Sequence, residues 1–169
     1  MARQLLALEQ QVEKETAPEA KAKLYYRWAS ALYNMSYYGN NWNAVAYDRT
    51  GSDWNEGNYK LAWQKEYYGV YRAKGFYEKA YALTADREFK AACLFLVAKC
   101  RQRQFARPDY SAPMAAEKAF ERNFRENPYF PQYIREFGDT RFYKYSYNRC
   151  GYLRDFVKKQ QQPKAPVKK

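Results

Sequence analysis

The chain of 169 residues carries nineteen Tyr, ten Phe and four Trp, no His, and a formal net charge of +12. That length fits one domain able to bury most of the surface its unfolded form exposes. Without histidine the usual neutral-pH proton shuttle and the commonest metal ligand are missing, and no apolar run reaches the length of a membrane span.

The opening MARQLLALEQQVEKE lacks the apolar core of a signal peptide and alternates charge like a helix. This fits a cytoplasmic protein, or a piece of a longer secreted chain. Leu5, Leu8 and Val12 mark a first short amphipathic helix. Thr16-Ala17-Pro18-Glu19 combines capping-box spacing with a first-turn proline and is expected to open the next helix. Leu24, Trp28, Ala31 or Leu32, and Met35 then recur at helical steps.

Residues 36–60 break the period. Gly, Asn, Asp and Ser punctuate them throughout, which predicts a long aromatic and Asn-rich insertion loop. Trp63, Tyr67, Val70, Ala73, Tyr77 and Ala80 restore a helical stripe, read as one helix over 61–84. Gly75 lies inside it, where glycine costs roughly 1 kcal/mol against alanine; close approach of a neighbouring helix is the expected reason. Asp86 caps a following helix whose run Ala91 to Ala98 is apolar on every side, so this helix is expected to be central.

Ser111 and Pro113 are read as starting a helix with Ala116, Phe120 and Phe124, stopped by Asn127-Pro128. YFPQYIREFGD is expected to be irregular, with at most a short helical turn. Asp139 or Thr140 then caps a last helix carrying Tyr143, Tyr147, Cys150, Leu153 and Val157. The closing KKQQQPKAPVKK has five lysines and no acid; residues 158–169 are expected to form a disordered basic tail after a helical domain over 1–157. Nothing reads as a strand, and the fold class is all-α. Cys93, Cys100 and Cys150 have no metal-ligand spacing; three buried thiols are expected, with a disulfide from Cys150 to one of the others as the alternative.

Ala73, Tyr77 and Ala80, in the pattern A-x3-Y-x2-A, resemble the second helix of a tetratricopeptide repeat. Leu94 falls where the next repeat's first-helix leucine would stand, and Trp28-Ala29 resembles the large-then-small pair. The chain departs from the pattern at Ala85, Phe95 and the 36–60 insertion. The closing GDTRFYKYSYNRCGYLRDF is similar to the C-terminal ends of large helical-repeat proteins of the bacterial cell envelope. The resemblance implies antiparallel helix pairs stacked into an α-α superhelix that binds peptides or proteins. It also implies a C-terminal domain of a longer envelope protein.

Two groups of residues stand out as candidate binding sites. In the insertion, Tyr37, Tyr38, Trp42 and Trp54 alternate with Asn41 and other amides, a combination suited to a sugar ring or a peptide backbone. The plainer alternative is a lid of rings over the helix pair, with Asn serving turns. Arg101, Arg103 and Arg107, followed by Arg141, Lys144, Arg149 and Arg154, interleave with aromatics as in single-strand nucleic-acid binders, or form a solvated helix face. No nucleophile elbow, phosphate loop or metal spacing accompanies them. The expectation is a non-catalytic protein-interaction or scaffold module needing no cofactor, with polysaccharide or nucleic-acid binding as the alternative.

Overall fold

The computed structural model describes residues 2–49, 61–105 and 111–162. Their secondary structure is helical: α1 (Ala2–Lys14), α2 (Pro18–Asn34), a 3-10 turn Trp42–Ala44, α3 (Ala62–Gly69), α4 (Tyr71–Leu83) and α5 (Arg87–Arg103). After these come α6 (Ala115–Glu126), α7 (Tyr129–Phe137), α8 (Arg141–Arg149) and α9 (Gly151–Gln161). No strand occurs among the described residues.

The helices α2, α4, α5 and α7 lie side by side, each antiparallel to the next. Glu19 at the start of α2 meets the end of α4, accepting from the Ala85 N–H at 2.5 Å and the Thr84 hydroxyl at 2.7 Å. The Ser30 and Tyr77 hydroxyls meet midway at 3.0 Å, and beyond α2 the Tyr37 N–H reaches the Tyr67 carbonyl. From α5, Arg87 donates to the Glu136 carbonyl, while Phe95 packs on Tyr133 and the Ala98 carbonyl accepts from Asn127.

The central position of α5 follows from its apolar run. Its Val97 and Cys100 join Ala29, Val70, Ala73 and Tyr77 in one core. Its Ala91, Leu94 and Ala98 join Phe130, Tyr133, Phe137, Leu153 and Phe156 in the other. Asp86 caps the helix as expected, accepting from the Glu88 and Phe89 N–H groups. Glu88 in turn accepts from the Arg141 and Phe142 N–H groups, each at 2.9 Å, and so caps α8.

The described structure corrects several expectations. The 61–84 helix is two helices, because Val70 adopts the left-handed conformation at φ 47. There the Tyr71 ring folds back over Gly69, so closely that a Cβ on Gly69 would lie 2.2 Å from it. The Glu66 carboxylate accepts from the Arg72 N–H at 2.9 and 3.0 Å, satisfying the start of α4. A β-branched residue with positive φ is strained by roughly 1–2 kcal/mol; complete burial of the Val70 side chain offsets it.

Thr16 does not cap α2. Ala17 holds the cap position, with Pro18 behind it, and the Ala17 N–H is satisfied by Glu15. The helix expected at Ser111 starts at Ala115, after Met114 in the left-handed region. Residues 129–137 form a regular helix, since Pro131 sits in the first turn, where a missing N–H costs nothing. The last helix breaks at Cys150, whose backbone is extended, and Arg154 reaches back to the Tyr147 and Asn148 carbonyls at 3.1 and 2.8 Å. The tail boundary also moves: Lys158–Gln161 continue α9, and Lys159 pairs with Glu121 of α6. Residues 163–169 lie outside the described residues.

All three cysteines are free thiols, Cys93 and Cys100 buried and Cys150 half-buried. Burial pushes the Cys93 thiol up to about 12 and the Cys100 thiol higher still.

Gly75 is the clearest correction. A Cβ built there has no neighbour within 4 Å, so no helix crowds the backbone. Gly75→Ala is therefore expected to raise stability by roughly 1 kcal/mol, the helix-propensity difference alone. Urea denaturation of parent and variant checks this; an unchanged or lower midpoint would show that the open space is filled in solution.

Candidate functional site

The chain leaving α2 turns back on itself through hydrogen bonds rather than wandering. Ser36 is buried, its hydroxyl donating to the Tyr33 carbonyl at 2.6 Å and accepting from the Tyr38 N–H at 3.3 Å. Gly39 donates to the Ser36 carbonyl and Asn41 to that of Asn34. A Cβ on Gly39 would lie 2.2 Å from the Asn34 carbonyl oxygen, so only glycine allows this approach. The turn, with the Tyr37-to-Tyr67 backbone bond at 3.1 Å, fixes where the rings point.

The rings gather at the corner between α2, α3 and the end of α5. Tyr37 meets Tyr38 edge-on at 5.3 Å and Tyr67 edge-on at 6.2 Å, and lies 5.4 Å from Tyr68. Trp63 reaches Tyr67 edge-on at 5.9 Å. Two guanidinium groups complete the cluster. Arg49 lies 5.6 Å from both the Tyr37 and Trp42 ring centres and donates to the Tyr37 carbonyl. Arg103 lies 4.0 Å from the Tyr38 ring centre. Edge-to-face packing and cation–π contact both follow from the ring quadrupole.

The structure thus unites residues that the sequence presented as two separate groups: Tyr37, Tyr38 and Trp42 from the segment that follows α2, and Arg103 from α5; residues 50–60 of the expected insertion lie outside the described residues. Asn41 is not among them; it lines a groove between α1 and α2, with Leu8, Arg27 and Met35. Arg101 also departs, stacking 4.4 Å from the Phe105 ring, with Arg122 also 5.4 Å from that ring. Trp54 and Arg107 lie outside the described residues. Further along, Arg149 stacks on Tyr145 and Arg141 faces Glu88, while Arg154 holds α8 carbonyls.

Four members went unread in the sequence: Arg49, Trp63, Tyr67 and Tyr68. Trp63 and Tyr67 stand in the sequence only as members of the helical stripe. Tyr67 is indeed buried, its hydroxyl unpartnered among the described residues. Burial raises its pKa, and the neighbouring Tyr68 adds to the effect. Trp63 remains 45% exposed and Leu61 53%, because the break at Val70 lets α3 leave the line of α4.

No group of three or more His, Cys, Asp or Glu is placed to hold a metal ion among the described residues, and none of their helices is long and apolar enough to cross a membrane. The corner offers flat rings, two guanidinium groups and backbone amides, a chemistry of contact. Comparison with protein-family models, with curated proteins and with solved structures finds no match to this chain, and the corner is read on its own geometry.

Proposed function

We propose that the chain is a non-catalytic interaction module that docks a protein partner on the ring-lined corner of α2 and α3. The observation that carries this reading is Trp63 with Leu61, half-exposed beside rings already locked by packing and backbone hydrogen bonds. Trp, Tyr and Arg are the residues that most often dominate binding energy at protein interfaces. Rings held in place before binding lose little further freedom when they bind. Tyr77, Cys93 and Cys100, which burial shifts strongly, lie between helices, which speaks for packing rather than for acid–base work. Within this reading the antiparallel row forms tetratricopeptide-like pairs, and the chain serves as the C-terminal domain of a bacterial cell-envelope protein.

The test compares a photo-crosslinking residue at position 63 with one at Lys118 on α6. A discrete protein adduct from native extract is expected at 63 and none at 118. Trp63→Ala should weaken capture of that partner about tenfold or more, the loss of a hot-spot ring, with an unchanged melting temperature. A variant that melts several degrees lower would mark Trp63 as packing, and retained capture would remove it from the interface.

The positive charge, with guanidinium groups stacked on rings, favours a second reading, a polyanion such as single-stranded nucleic acid or an acidic polysaccharide. Binding of that kind falls steeply with salt, so the salt dependence of capture separates the two.

A further inference from the structure

We propose that Lys99 and Arg103 form a binding site for a phosphoryl dianion. The two cations stand one turn apart on the same face of α5, four residues from each other. Both are half-buried, yet neither has a carboxylate within ion-pair distance among the described residues. The fold treats Lys74, a half-buried cation of α4, quite differently: it has Glu78 at 2.5 Å and the Tyr129 hydroxyl at 2.9 Å.

What surrounds Lys99 and Arg103 are neutral groups: an amide oxygen, hydroxyls and rings. Lys99 donates to Gln102 Oε1 at 3.0 Å and lies 5.8 Å from the Tyr152 ring centre. The Tyr152 hydroxyl and Arg103 Nε are buried without a partner among the described residues. Stacking on Tyr38 at 4.0 Å fixes the Arg103 guanidinium, and the Tyr33 hydroxyl lies against it, its pKa raised by burial although Arg103 opposes the rise. The ionisable groups that bear on Lys99 are Arg103, Cys150 and Cys100. Burial first, and Arg103 second, draw its pKa below the usual lysine value.

A half-buried pair of like charges, next to unpartnered donors, is short of an anion. Its charge selects the class. A carboxylate neutralises one cation, whereas a phosphate monoester carries about −1.5 to −2 at neutral pH and offers three acceptor oxygens. A guanidinium held by stacking presents its fork in one direction, the geometry that suits phosphoryl oxygens. The inference does not depend on the docking role proposed for Trp63 and stands if that role fails.

Thermal melting of the full chain in 10 mM inorganic phosphate, against sodium chloride and sodium acetate of equal ionic strength, tests it. Phosphate is expected to raise the melting temperature by about 3 °C or more, as for a ligand present well above its dissociation constant. Lys99→Met and Arg103→Gln should each abolish the rise. In chloride Lys99→Met should melt no lower than the parent, because it removes one of two repelling cations. Equal melting of the parent in phosphate, chloride and acetate overturns the proposal. So does a rise that survives in both variants. The source of the group is read by replacing inorganic phosphate: phosphoserine that gives the same rise at a tenfold lower concentration marks a side-chain monoester, and sedimentation of the parent but of neither variant with phosphatidic acid vesicles marks a lipid headgroup, each supporting the site.

Discussion

Replacing Phe156 by alanine is expected to destabilise the protein by about 3–5 kcal/mol, the range for removing a large ring from a packed core. Phe156 is fully buried on α9. Its ring lies 4.6 Å from that of Phe124, 5.3 Å from Phe130 and 6.4 Å from Tyr152. It therefore joins α6, α7 and α9, and deletion leaves a void that three helices would have to close together. For a chain of this size the melting temperature should fall by roughly 2–4 °C for each kcal/mol. Calorimetry checks the value. A loss below about 1 kcal/mol, what a surface site gives, would mean that α9 is not seated on the core in solution.

Asn127→Ala is expected to cost about 2–4 kcal/mol, although the residue is polar and ends a helix. The side chain is 1% exposed. Its amide donates to the Ala98 carbonyl and to Asn123 Oδ1, both at 3.0 Å, while its Oδ1 accepts from the Tyr129 N–H at 3.2 Å. One side chain thus ties α5, α6 and the start of α7. Truncation strands Asn123 Oδ1 and the Tyr129 N–H, and a buried group left unpaired costs about 1–3 kcal/mol. Asn127→Asp separates hydrogen bonding from size. At neutral pH it should be worse than alanine, since a carboxylate would face the Ala98 carbonyl and Asn123 Oδ1 without donating. The carboxyl is disfavoured in its charged form when folded, so stability should recover as pH falls and the group protonates. Urea midpoints at pH 7 and pH 4 read both effects. An aspartate variant as stable as the parent at pH 7 would show that these bonds carry no weight.

The helices that the sequence announced best were those whose signal is local. Asp86 stands where an N-cap belongs and accepts from the Glu88 and Phe89 N–H groups; Thr140 accepts from the Tyr143 N–H in the same way. The apolar run Ala91–Ala98 required covering on several faces, and α5 has it. Long-range partners misled the reading elsewhere. Glu19 looked like half of a capping box, yet Thr84 and Ala85, far along the chain, claim its carboxylate. The passage YFPQYIREFGD looked irregular, but it holds α7, with Pro131 in the first turn, where proline carries no penalty.

At the candidate corner the residue types were legible and their grouping was not. Tyr37, Tyr38 and Trp42 were visible as a ring cluster, and Arg103 as one of several arginines. Only Arg103, among the arginines at 101 and 103, lies on Tyr38; two positions earlier the helix turns Arg101 toward Phe105. Composition and periodicity by themselves determined an all-helical chain with a buried central helix, because helical period, caps and apolar runs are written in neighbouring residues. The tertiary structure alone decided where the helices break and which side chains meet. At Val70, burial in the α2–α4–α5 core holds a β-branched residue in the left-handed region, a choice that no local preference would make, and that break leaves Trp63 exposed beside the ring cluster.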